Sequence, residues 1–278
     1  MYSGRFAAIN GIGNVASWNV KETNAEDKIV NSATKAGTDR ILGTKDCTGS
    51  YEAHGGAPAV FPGDTFQFIG YTSPTSDVAG TVGMRYTVDA IVTQVVVQWD
   101  FAKNTIVKHT VQFGGKGLLG IASGAAIVDS TSVKKAKSSD CAFVSGAAVP
   151  FLTTRTTATL TISNSASAYA NAATSGSMTR ERGTLDWTLA IPAHGHTQLA
   201  TPGTHLQNLK LGVNATESWW FSDALVGDTT DITCKPGTDQ VDTQTVNVAM
   251  LASHPTTGVV GFIRKPGETV ANVWPYTN

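Results

Sequence analysis

The sequence predicts an all-β protein made of two tandem copies of a small antiparallel β-sandwich or split-barrel domain, each with at most one short helix. Three observations carry that prediction. One long phrase occurs twice, apolar residues recur at every second position, and Pro-Gly turns separate the alternating runs.

The phrase RILGTKDCTGSYEAHGG begins at Arg40, and RERGTLDWTLAIPAHGH begins at Arg180. Aligned without gaps, residues 31–63 and 171–203 are identical at Asn31, Ala33, Thr34, Arg40, Gly43, Thr44, Asp46, Thr48, Ala53, His54, Gly55, Pro62 and Gly63. That is 13 of 33 positions, where ordinary residue frequencies give about two or three. Shorter matches set Ser3-Gly4 against Ser145-Gly146 and Asp89–Val92 against Asp223–Val226. The first copy is therefore expected over residues 1–120, a linker over 121–140, the second copy over 141–252 and an extension over 253–278. Cys47 falls opposite Trp187, so it reads as a buried apolar position.

Within the first copy, Pro62-Gly63 is turn chemistry feeding a strand that begins at Thr65. From Asp89, the run DAIVTQVVVQWDF places Ile91, Val95, Val97 and Trp99 on one face. Val92, Gln94, Val96 and Gln98 take the other. After the polar AKN, Val107, Val111 and Phe113 alternate again, which makes the pair a hairpin. In the second copy Pro202-Gly203 plays the same part as Pro62-Gly63. The KPGTD stretch from Lys235 is the expected hairpin turn, and Val246, Val248 and Met250 line up on the return.

Composition narrows the function classes. Of 278 residues only 15% are charged, against about 25% in an average soluble domain, which suggests a surface largely covered by other chains. The net charge of −1 gives no global field for nucleic acid or an anionic membrane. KKAK at Lys134 to Lys137 reads as a solvated linker. The three cysteines, Cys47, Cys141 and Cys234, are too far apart in sequence for a C-x-x-C metal site, and their odd number makes no disulfide framework. The opening MYSGRFAAINGIG lacks the basic and apolar regions of a signal peptide. No apolar run reaches the roughly 20 residues that span a bilayer, so no membrane is expected.

Several motifs invite a chemical reading and fail it. GKGLLG, Gly115 to Gly120, spells G-x-G-x-x-G after a strand, but a dinucleotide site needs a helix at its last glycine. The following IASGAAIVDSTSVKK is a poor helix. His194 and His196, with His205 nearby, could share a strand face, yet the first copy keeps only His54. Asp46 and Asp186 each stand alone after Gly-Thr, where they are expected to accept backbone hydrogen bonds in a turn. No carboxylate pair or Ser/His/Asp set recurs. Neither a cofactor nor a metal nor enzymatic activity is expected.

SGRFAAINGIGNVASWNV, GTKDCTGSYEAHGG, FPGDTFQF, DAIVTQVVVQWD and TVQFGGKGLL together resemble the major tail tube proteins of long-tailed bacteriophages. The matching positions are Trp18, Gly43, Asp46, Gly49, Ser50, Pro62, Gly63, Phe113, Gly115, Gly117 and Leu118. Cys47 departs from the pattern, where the second copy supplies Trp187; the second copy lacks the closing glycines. The resemblance implies six β-sandwich domains per ring, their hairpins joined in one inner barrel, with rings stacked into a hollow tube that conducts double-stranded DNA without binding it specifically. A chain with two such domains would close the ring as a homotrimer. The implied location is the virion, after synthesis in the host cytoplasm, and the implied partners are the chain itself, a tape-measure protein and tail terminator or tip proteins.

Under that reading the hairpin from Asp223 to Met250 lines the lumen, with Asp228, Asp231, Thr243, Thr245 and Asn247 as wall residues. Phe262, Trp274 and Tyr276 are too large for an extension to bury alone and are expected between subunits. Two other classes fit the same β-pattern: another virion structural protein, such as a capsid decoration protein, and a β-sandwich glycan-active enzyme.

Overall fold

The computed structural model describes residues 2–4, 6–9, 15–30, 38–72, 83–123, 136–146, 149–171, 173, 176–195, 200–227, 242–251, 262–268 and 272–273. Among these residues the protein is all-β, with antiparallel strand pairing. The only helical pieces described are the 3-10 turns Ser138–Asp140 and Pro150–Leu152.

The first half carries β1 (Tyr2–Gly4), β2 (Phe6–Ile9), β3 (Val15–Ile29), β4 (Asp39–His54), β5 (Thr65–Tyr71), β6 (Met84–Asp100), β7 (Lys108–Gly115) and β8 (Gly120–Ser123). In the second half lie β9 (Phe143–Val144), β10 (Thr157–Asn164), β11 (Ser167–Tyr169), β12 (Thr179–Glu181), β13 (Leu185–His194), β14 (His205–Gly212), β15 (Ser218–Val226), β16 (Thr243–Met250), β17 (Phe262–Arg264) and β18 (Asn272–Val273). Turns fall where Pro and Gly demand them: Gly63 and Gly203 have φ of 93° and 82°, a region glycine enters without a Cβ penalty.

Strand order in the first half is β3-β4-β7-β6-β5-β2, and in the second β10-β13-β16-β15-β14-β9. Registers agree as well. Thr65 faces Ile91 and His205 faces Leu225; Ala90 faces Gly115 and Ala224 faces Met250. β8 pairs with β6 at Tyr86, and β17 pairs with β15 at Trp220. One expected match does not fit this scheme. Ser3 sits in β1 against Asn19 of β3, whereas Ser145 follows β9, whose Phe143 faces Leu211 of β14.

Alternation holds along most strands, so one face of each is apolar and buried. It breaks where Asp223 and Ala224 of β15 are both buried, and again within β6. The ladder with β7 shifts between Val92 and Gln94, and this bulge reverses the parity. Val92, expected on the outer face, is therefore fully buried, together with Ile91 on the opposite parity and Val95, Val97 and Trp99 beyond the bulge. Cys47 in β4 and Trp187 in β13 are both buried. Burial raises the Cys47 thiol to about 11, with Glu22 and Asp46 adding to the shift, so at neutral pH it stays protonated and inert.

The halves share one hydrophobic core and one sheet. β10 lies on the free edge of β6, from Thr157 opposite Asp100 to Ser163 opposite Gln94. Two buried tryptophans then reach across in opposite directions. Trp99 Nε1 donates to the Gly212 carbonyl at 2.9 Å, and Trp219 Nε1 donates to the Gly56 carbonyl at 3.0 Å. Gly56 has to be glycine, because a Cβ there would lie 2.5 Å from Val213. The Arg155 guanidinium lies over the rings of Phe101 and Phe143, 4.1 and 4.6 Å from their centroids, and donates to the carbonyls of Leu152 and Cys141.

Two outcomes follow from this core. Trp99→Phe keeps an aromatic ring but removes the indole N–H that serves the Gly212 carbonyl, so urea unfolding should show a loss of at least about 1–3 kcal/mol. His109 is buried, its Nδ1 2.6 Å from the Gly55 carbonyl, and burial lowers its pKa below 6.5. The folded state thus refuses a proton that the unfolded state accepts, and stability falls as pH drops below that value. Between pH 7 and 5.5 the slope should approach, but not exceed, about 1.4 kcal/mol per pH unit, and His109→Asn should flatten it.

Candidate functional site

The core faces of β3, β4, β7, β6, β10, β13 and β16 leave their opposite faces outward, and these seven strands are hydrogen-bonded neighbours in that order. Register therefore lines up side chains from both halves in continuous rows. One row runs Asn19, Ser50, Gln112, Gln94, Ser163 and Asp186 across six strands. Another runs Lys108, Gln98, Thr159, Ala190 and Asn247 across five. These residues are exposed or half-buried, and nearly all are amides or hydroxyls. Asn19 Nδ2 donates to Ser50 Oγ at 2.6 Å, and Lys108 is paired with Glu52 at 3.1 Å. The face is wetted, almost neutral and continuous over both halves.

Thr243, Thr245 and Asn247 lie on this face, opposite His194, Pro192 and Ala190 of β13. Val246 and Val248 point into the core between them. Asp228 and Asp231 lie outside the described residues, as do Trp274 and Tyr276. Phe262 begins β17, where its backbone pairs with Val273; its side chain is outside the description. Part of the extension returns to the body of the protein: Ile263 is buried, and β17 is hydrogen-bonded to β15. Asp223, where the expected lumen hairpin begins, is buried 2.9 Å from His205 Nε2.

Asp46 is not a turn residue. It sits within β4 and takes a guanidinium from the other half of the chain. Arg180, on β12, is 7% exposed. Its Nη2 donates to Asp46 Oδ2 at 2.8 Å, and its Nη1 donates to the carbonyls of Gly115 at 2.8 Å and Cys47 at 3.4 Å. Backbone hydrogen bonds flank the contact, from Lys45 N to the Gly176 carbonyl at 2.8 Å and from Met178 N to the Lys45 carbonyl at 2.7 Å. Gly114 makes the room, since a Cβ there would collide with the Arg180 side chain. Sequence reasoning missed this clamp, although Arg40/Arg180 and Asp46/Asp186 are both repeat identities.

Other chemical candidates do not assemble. GKGLLG runs straight into strand β8, so its last glycine, Gly120, begins a strand and not the helix that would receive a phosphate; residues 124–135 lie outside the described residues. His205 lies beside Asp223, His194 ends β13 on the exposed side, and His196 lies outside the described residues. Among the described residues no group of three His, Cys, Asp or Glu is placed to hold a metal ion, and no helix is long and apolar enough to cross a membrane. No protein-family model matches the chain, and no curated protein matches it in sequence.

The clamp has a measurable consequence. Arg180→Ala strips a partly buried carboxylate of its guanidinium and two carbonyls of a donor, and should lower unfolding free energy by about 1.5–3 kcal/mol. Gly114→Ala should reproduce part of that loss, because its Cβ pushes the Arg180 guanidinium outward toward water, and an unchanged urea midpoint in both variants would rule the clamp out.

Proposed function

We propose that this chain is a structural virion protein of the tail-tube type, whose two halves are duplicated domains. Three chains then form a pseudo-hexameric ring, and the rings stack into a hollow tube that conducts DNA. The observation that carries this reading is the unbroken seven-strand ladder with a wetted, nearly neutral outer face. A ladder that already runs from one half into the next has the property a closed inner barrel needs, because closure removes sheet edges. Matching strand order and register in the two halves supports the duplication.

The chemistry of that face suits a conduit. Phosphate contacts dominate affinity for DNA, and a wall rich in Lys or Arg would hold a passing duplex. Amides and hydroxyls from Gln94, Gln98, Gln112, Thr159, Thr245 and Asn247 offer water-compatible contacts without an array of cations. On this reading the chain works in the phage tail, beside tape-measure and terminator or tip proteins, and carries no catalytic site.

Native mass spectrometry of purified assemblies should give multiples of three chains, and negative-stain images should show rings or tubes with a central hole. Six chains per ring, a monomer at every concentration, or isolated trimers that bind capsids would each overturn the reading.

A further inference from the structure

The chain has two equivalent hairpin arms, and only one of them is seated. In the second half the strands leave the main sheet between Asn164 and Ser167 and rejoin it after residues 182–184. The intervening β11–β12 hairpin is a separate two-stranded sheet, laid onto the first half and fastened there by Arg180.

The matching stretch of the first half is the outer part of β3 and β4, and it stays in line with its sheet. Its ladder nevertheless breaks at the corresponding places. Residue 25 and residues 43–44 fall between the pairs Asn24 with Lys45 and Glu26 with Leu42. Gly43 lets the strands approach at that point, with the place of a Cβ only 3.1 Å from Ala25 Cβ. Beyond the break the arm stands clear of the core: Val30 is 65%, Ile41 53% and Leu42 64% exposed. Arg40, the match of Arg180, is paired with the exposed Glu26 at 2.5 Å. Asp186, the match of Asp46, is exposed on β13.

We propose that the β3–β4 arm of one chain bends at this break and seats on the second half of another copy, with Arg40 exchanging Glu26 for Asp186 of the partner subunit. The proposal rests on the ring reading and names the joint that closes it. The occupant is a second copy because this chain already shows the same hairpin, arginine and aspartate engaged between its halves. A chain that offers an arm at one end and a seat at the other associates head to tail, which closes into a ring when the rotation allows. The two seats differ at the position beneath the arginine. Opposite Thr48 the seat in the first half has Gly114, whereas opposite Thr188 the second half has Ala249. That extra methyl keeps Arg40 nearer to water than Arg180, so the joint between chains is weaker than the joint within one.

The test uses the full chain, with ring formation followed by sedimentation velocity over a range of concentrations. Both positions are exposed, so circular dichroism and melting temperature should stay as in wild type. Arg40→Glu and Asp186→Arg should each raise the concentration needed for rings by about tenfold or more, and the double variant should return it to within about threefold of wild type. Wild-type rings with unaffected single variants, or a double variant that stays dissociated, would overturn the arm exchange and leave the ring reading standing. A wild-type chain that never assembles would overturn the ring reading itself.

Discussion

Pairing of β10 with the free edge of β6 is the contact on which the rest of the molecule depends. β6 is 17 residues long, and beyond the stretch covered by β5 it offers a bare row of donors and acceptors on one side. Unpaired edges recruit whatever strand is available. Here the second half supplies it within the same chain, and the register from Gln94 to Asp100 sets where the second half sits. Trp99 and Trp219 can then cross between halves, and Arg155 can fill the space between Phe101 and Phe143. The wetted face continues from one half to the next because the ladder does.

The low charge content has a physical place in this arrangement. A sheet that buries one face and wets the other needs polar side chains at every second position, and Thr, Ser, Gln and Asn serve on strands as well as ions do. Thr is also a good strand former. Charges are kept for specific joints: Lys108 with Glu52, His205 beside Asp223, and Arg180 in its seat against Asp46. The last of these joins parts of the chain 134 residues apart.

The sequence by itself determined the fold class, the two Pro-Gly turns and most of the buried faces. Pro62-Gly63, Pro202-Gly203 and the alternation through Val107, Val111 and Phe113 all depend on backbone geometry within a few residues, and that geometry is written locally. It also determined, through Cys47 opposite Trp187, that both positions are core. Tertiary structure alone decided the bulge that buries Val92, because a bulge exists only relative to the partner strand β7. It decided that Asp46 meets Arg180, that Asp223 is buried beside His205, and that Ile263 returns to the core. Each of these depends on what another strand brings alongside, and no period in the sequence records which distant strand that will be.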